Sequence, residues 1–202
     1  MNNPFEIYNQ FSIGIIEDTL ENCCQNFKEL LKKGSVNVAE LKEVNFYAVC
    51  DTPDLQNTPD ESRFLLYEPL TNENKTVFFS NLNDGWYTAV YNYSRLFYVN
   101  AYLPGFTIRK DHPEPAYFFR YFQRADKEVI ERIVYLIKEG KWTFYEQSTP
   151  LEVENTGNYL KRKKVERINN EIILSYLKKA GYDLLNESFY RTSKTAYLIK
   201  YK

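Results

Sequence analysis

With 202 residues the chain has room for one domain or two small ones, and a single domain of this length buries roughly 70% of its unfolded surface without a disulfide or metal staple. Hydrophobic residues make up 44% and charged residues 26%, with only 7 Gly and 8 Pro, which excludes a disordered or collagen-like chain. The 26 Lys and Arg nearly cancel the 27 Asp and Glu, so no global field draws the protein to nucleic acid or anionic lipid, and any such attraction must be local.

The opening residues Met1 to Glu6 lack the basic region of a secretion signal, and no apolar run approaches the length that spans a bilayer. The three cysteines are odd in number, and two of them, Cys23 and Cys24, are neighbours that cannot easily pair with each other on a helix. These features predict a cytoplasmic protein with reduced thiols and no membrane partner. No second Cys pair or histidine cluster offers a zinc site, and no cofactor is expected.

In chain order, Phe11 to Ile16 reads as a short strand or an extended lead-in. From Glu17 to Lys33, Leu20, Cys23, Cys24, Phe27, Leu30 and Leu31 recur at helical spacing, with Gly34 as a stop. Val44 to Cys50 reads as a strand, and the acidic, proline-containing segment Asp51 to Ser62 as a loop without calcium-loop spacing. Arg63 to Glu68 and Thr76 to Ser80 read as strands joined by a turn at Thr71 to Lys75. Asn83 and Asp84 can cap a helix to Phe97 whose inward side carries Trp86, Val90, Tyr93 and Phe97.

Tyr98 to Leu103 returns to extended structure before breaks at Pro104-Gly105 and Arg109 to Pro115. Tyr117 to Arg124, Glu131 to Ile137 and Lys141 to Glu146 read as a meander, with Lys138-Glu139-Gly140 as its last turn. A long helical stretch is expected from Asn155 or Thr156 to Gly181, along the stripe Val165, Ile168, Ile172, Tyr176 and Ala180, with room for a kink at Ile168 to Asn170. Ala196 to Tyr201 is the last strand. The class predicted is α+β, a largely antiparallel or mixed sheet with three to four helices, as a single domain or as two lobes divided near residues 109–115.

One histidine, His112, stands against 18 Tyr, 14 Phe and 2 Trp, a balance that favours binding over proton-transfer catalysis. His112 lies among Asp111, Pro113 and Glu114, where an exposed turn competes with a general-base reading. No nucleophile elbow, phosphate loop or HExxH pair is present. Along Tyr117 to Arg124, alternation puts Tyr117, Phe119 and Tyr121 on one face and Phe118, Arg120, Phe122 and Arg124 on the other. Either both faces are buried with paired arginines, or the second face offers cations and rings to a partner. On that basis Arg120, Tyr121 and Arg124 are candidate partner-binding residues.

Lys161, Arg162, Lys163, Lys164 and Arg167, against Glu166 alone, form the one dense basic run. They are either a solvated helix face or a docking patch for an acidic partner or phosphates. Trp142 alternates with Phe144 on one side of its strand, while Lys141, Thr143 and Tyr145 share the other.

Asp84-Gly85-Trp86, Gly140-Lys141-Trp142-Thr143-Phe144-Tyr145, and Tyr159 through Arg167 leading to Ile172, Tyr176, Gly181 and Tyr182 resemble a pattern in small uncharacterised bacterial proteins of the toxin-immunity kind. The likeness runs from Asp84 onward and implies neutralisation of a toxin by binding, with no functional residue carried over. The function expected is therefore a non-catalytic cytoplasmic protein that occludes another protein, a toxin or an acidic surface. The alternatives are a nucleic-acid accessory protein using residues 161–167, and an enzyme with a carboxylate or tyrosine site.

Overall fold

The structure, a computed structural model, describes residues 3–126 and 128–202. Eleven strands form one open sheet in which every pairing between strands is antiparallel. Its first half holds β1 (Gln10–Ser12), β2 (Gly14–Ile16), β3 (Val36–Leu41), β4 (Ser62–Tyr67) and β5 (Thr76–Ser80). Its second half holds β6 (Ala101–Tyr102), β7 (Gly105–Thr107), β8 (Ala116–Ala125), β9 (Glu128–Glu139), β10 (Lys141–Gln147) and β11 (Ala196–Tyr201).

β1 and β2 are one strand interrupted at Ile13, and β6 and β7 one strand interrupted at Leu103-Pro104. The Ile13 N–H donates to the Pro104 carbonyl at 3.1 Å across the double interruption. Across the sheet the order is then β3, β11, β4, β5, β2 with β1, β6 with β7, β8, β9 and β10, so β3 and β10 are the two ends. The sheet runs across residues 109–115, because β7 before them pairs with β8 after them.

Alternation divides the apolar residues between two cores. Phe64, Leu66 and Phe78 face one side; Leu65, Tyr67, Val77 and Phe79 face the other. Strands β4 and β5 therefore read as continuous apolar runs because helices or loops cover them on both sides. On the first side lie α2 (Leu20–Leu30), capped by the Thr19 hydroxyl accepting from Asn22 N–H, and α3 (Tyr87–Phe97). They bury Leu20, Cys23, Phe27, Val90 and Tyr93.

On the second side lie the short α1 (Pro4–Ile7) and α4 (Asn170–Lys179), the latter capped by the Asn169 side chain accepting from Ile172 N–H. From α4, Ile173, Tyr176 and Leu177 enter this core, each aliphatic one worth roughly 1.5–3 kcal/mol when fully buried.

The helix expected from an Asn83 or Asp84 cap begins instead at Tyr87, behind Trp86 in left-handed backbone at φ 55°, α1 had no counterpart in the sequence expectation, and three longer segments depart from it as well. Val44 to Cys50 is no strand: Phe46–Ala48 is a 3-10 turn that buries Val44, Phe46 and Val49 through loop rather than ladder geometry. β3 is absent from the sequence expectation because none of its side chains is fully buried: Val36 and Val38 pack against one core and Leu41 against the other, which leaves a weak apolar signal. The long helix expected from 155 to 181 is instead two 3-10 turns, Thr156–Leu160 and Lys164–Glu166, followed by α4 alone. Lys161 and Lys163 have extended backbone, and Val165 points outward while Ile168 is buried, so the helical stripe through both was coincidental.

Candidate functional site

Strands β8, β9 and β10 form a three-strand hairpin sheet with two unlike faces. Facing pairs Phe119 with Val134 and Tyr117 with Leu136 turn toward the second core, as do Trp142 and Phe144, and the loops of residues 151–169 cover them. The opposite face carries Phe118 across from Tyr135, Arg120 across from Ile133, and Phe122 across from Glu131. On β10 it continues through Thr143 opposite Ile137 and Tyr145 opposite Tyr135. Phe122 is buried beneath Tyr87 and Tyr91 of α3. Beyond that helix, Phe118, Ile133, Tyr135, Ile137 and Tyr145 belong to neither core. The rings of Tyr135 and Tyr145 stack at 5.2 Å, and Tyr145 is 41% exposed.

Arg120 sits at the border of this face. Its guanidinium lies 4.7 Å from the Tyr87 ring centre and 4.6 Å from that of Phe118, a sandwich between two aromatic faces. The nearest carboxylate, Glu131, stands 3.9 Å from Nε, too far for a hydrogen bond, and its other oxygen accepts from the Tyr87 hydroxyl at 2.9 Å. Arg120 Nε and Nη1 and Glu131 Oε1 are buried without a hydrogen bond. Burial presses the Arg120 pKa below its ordinary value, with Glu131 opposing, and burial with the Glu131 contact pushes Tyr87 up to about 12. A cation in this state has been stripped of water without full compensation.

The three residues singled out on β8 do not act as one group. Tyr121 is on the core side, its ring 4.5 Å from Tyr102. Arg124 shares the face of Arg120 but lies exposed at the far end, 5.7 Å over Tyr98. Tyr87, Phe118, Ile133, Tyr135 and Tyr145 complete the Arg120 face. The shared side of Lys141, Thr143 and Tyr145 was the sequence signal for part of it; Tyr87 comes from a helix and had none.

The basic run is not on a helix. Lys161, Arg162, Lys163 and Lys164 are exposed on a loop whose neck is tied by Arg167 Nε donating to the Lys161 carbonyl at 2.7 Å and by Lys164 Nζ donating to the Trp142 carbonyl at 2.8 Å. Arg167 also lies 5.1 Å over Phe144. This loop therefore rests on the core side of β10, opposite the Arg120 face.

Two polar clefts hold titratable side chains that the sequence could have offered for catalysis. A polar cleft of about 420 Å³ lies between Cys50, Asp60, Glu61, Arg63, Asn81 and Lys202. Its Glu61 is held below the usual carboxylate range by the hydrogen bond from Arg63, the reverse of what a general acid needs. His112 borders a smaller cleft of about 250 Å³, and its Nδ1 accepts from the Glu114 N–H at 3.2 Å, a turn contact. No group of three or more His, Cys, Asp or Glu among the described residues is arranged to hold a metal ion, and no described helix is long and apolar enough to cross a membrane. Comparison with protein-family models, with curated proteins and with solved structures finds no match.

Proposed function

We propose that this chain is a non-catalytic cytoplasmic protein that binds another protein on the Arg120 face of β8, β9 and β10 and masks the surface it covers. The observation that carries this reading is the set of five apolar side chains, Phe118, Ile133, Tyr135, Ile137 and Tyr145, that lie outside both cores around an arginine whose Nε and Nη1 are buried without a hydrogen bond. A one-sided antiparallel sheet normally presents polar residues to water, so this face is out of keeping with solvent alone. Interface energy concentrates in Tyr, Trp and Arg anchors ringed by apolar contacts, which is the composition here. The matching partner feature is a carboxylate flanked by apolar side chains, which would meet the fifth of the Arg120 side chain that stays exposed, 20%, beside the rings of Tyr87 and Phe118. Toxin neutralisation is the form of this function that the resemblance from Asp84 onward implies.

Affinity capture from the native cell with the wild type, Tyr145→Ala, Tyr135→Ser and the loop variant Arg162→Glu tests it. One protein should be held in a one-to-one complex by the wild type and by Arg162→Glu, and lost from both tyrosine variants while their melting temperatures stay within a few degrees. Retention of that protein by the tyrosine variants, or its loss only in step with unfolding, returns the face to a structural role.

A further inference from the structure

The loop on the other side of β10 has a composition that the partner face does not use. Leu160 is 86% exposed, the most exposed large apolar residue among those described, and Val165 is 40% exposed one turn later. Between them stand Lys161, Arg162, Lys163 and Lys164, all exposed. Lys163 reaches Glu166 at 3.4 Å in an open ion pair, of a kind that is worth little in water. The β9–β10 turn beside the loop adds exposed Lys138 and Lys141 against Glu139.

The loop is also pre-shaped. The neighbour of Leu160, Tyr159, is buried and its hydroxyl donates to Glu154 at 2.6 Å, while Arg167 and Lys164 tie the neck to backbone carbonyls. Leu160 is thus held outward by a fixed support.

We infer that this loop docks the protein on an anionic lipid bilayer, with Leu160 and Val165 entering the interface and Lys161, Arg162 and Lys163 lying among the headgroup phosphates. Aliphatic side chains flanking a basic cluster suit such an interface, which accepts them without a matching cavity. A nucleic acid would instead call for rings to stack on or a helix to fill a groove. The rings beside the loop are taken: Phe144 by Arg167 and Tyr159, and Trp142 by Tyr117. The loop is two short 3-10 turns, not a helix. Since a single weak anchor gives reversible attachment, the docking is peripheral and salt-sensitive, and it leaves the Arg120 face free.

Co-sedimentation with vesicles of phosphatidylcholine alone, and of phosphatidylcholine with phosphatidylserine as roughly a third of the lipid, tests this at low and at physiological salt. The wild type should partition onto the anionic vesicles only, more weakly as salt rises. Arg162→Glu/Lys163→Glu should lower partition by at least ~25-fold, at roughly fivefold per base removed. Leu160→Ser should lower it by about tenfold, and both variants should keep the wild-type melting temperature because their side chains are solvated. Three results would overturn the inference: no partition at low salt, equal partition onto neutral vesicles, or partition that survives the double charge reversal. A duplex oligonucleotide bound under conditions where anionic vesicles are ignored would also overturn it, in favour of nucleic acid.

Discussion

Arg132 and Glu154, 22 residues apart in the chain, meet with Nη2 to Oε2 at 2.7 Å while 2% and 0% of their side chains remain exposed. The pairing is complete. Nη1 donates to the carbonyls of Gln147 and Ser148 at 2.8 Å each, Nη2 also donates to Glu146 at 2.7 Å, and Glu154 accepts from the Tyr159 hydroxyl and the Leu151 N–H. Burial lowers the Arg132 pKa, but the hydrogen bonds that Arg132 donates to Glu154 and Glu146 outweigh it and the net direction is up. The pair locks the loop after β10 onto β9, and so fixes the support on which both proposed surfaces rest.

Removing one partner strands the other charge in the interior. Arg132→Leu and Glu154→Leu should each cost about 3–5 kcal/mol, whereas the double variant should recover much of that loss. Urea unfolding with linear extrapolation measures it, and additive losses in the double variant would show that the two groups do not depend on each other.

Alkaline pH should unfold the protein cooperatively. Burial is the first cause of the raised pKa of Tyr8, Tyr67, Tyr93, Tyr159, Tyr182 and Tyr190. Below the ordinary tyrosine value of about 10 both folded and unfolded chains keep these protons and the contribution is whole. Above it the unfolded chain ionises first, so stability falls as pH climbs toward the folded-state values. Tyrosinate absorbance should therefore rise together with loss of circular dichroism; a gradual rise near the ordinary value in a folded protein would contradict the burial.

Glycine replacements should separate close packing from turn geometry. A Cβ at Gly105 would stand 2.1 Å from the Phe118 ring, whereas one at Gly140, where φ is +70°, would meet nothing within 4 Å. Gly105→Ala should cost about 1–3 kcal/mol by overpacking and should displace Phe118 from Arg120. Gly140→Ala should cost about 1 kcal/mol from backbone strain, and Gly140→Asn less. Equal losses from the two alanine variants in thermal unfolding would reject the distinction.

The cysteines should be silent in the native state. All three are free and buried; burial pushes the Cys23 thiol up to about 12 against the opposing hydrogen bonds of Thr76 and Tyr93, and raises Cys24 as well. A thiol-titrating disulfide reagent at neutral pH should find its three targets only as fast as the protein opens. A burst of reaction in buffer would place a thiol at the surface.

Local patterns were sufficient for several elements built from neighbouring residues. Leu20, Cys23 and Phe27 announced α2, Gly140 the turn between β9 and β10, and the alternation along Tyr117 to Arg124 placed Arg120 opposite Tyr121 before any partner strand was known. On β9, Arg132 shares a face with Val134 and Leu136, yet nothing near it in sequence announced Glu154. The stripe joining Val165, Ile168, Ile172 and Tyr176 failed because helical spacing says nothing about extended backbone at Lys161 and Lys163.

By itself, then, the sequence determined the α+β class, the antiparallel hairpins, and which side chains share a strand face, since period and turn chemistry are properties of adjacent residues. Only the tertiary structure decided which of those faces is covered. α3 reaches as far as Phe122 and leaves Phe118, Tyr135 and Tyr145 outside the core, while Tyr159 and Arg167 hold Leu160 in solvent. Coverage depends on where distant segments come to rest, and no short-range pattern encodes that placement.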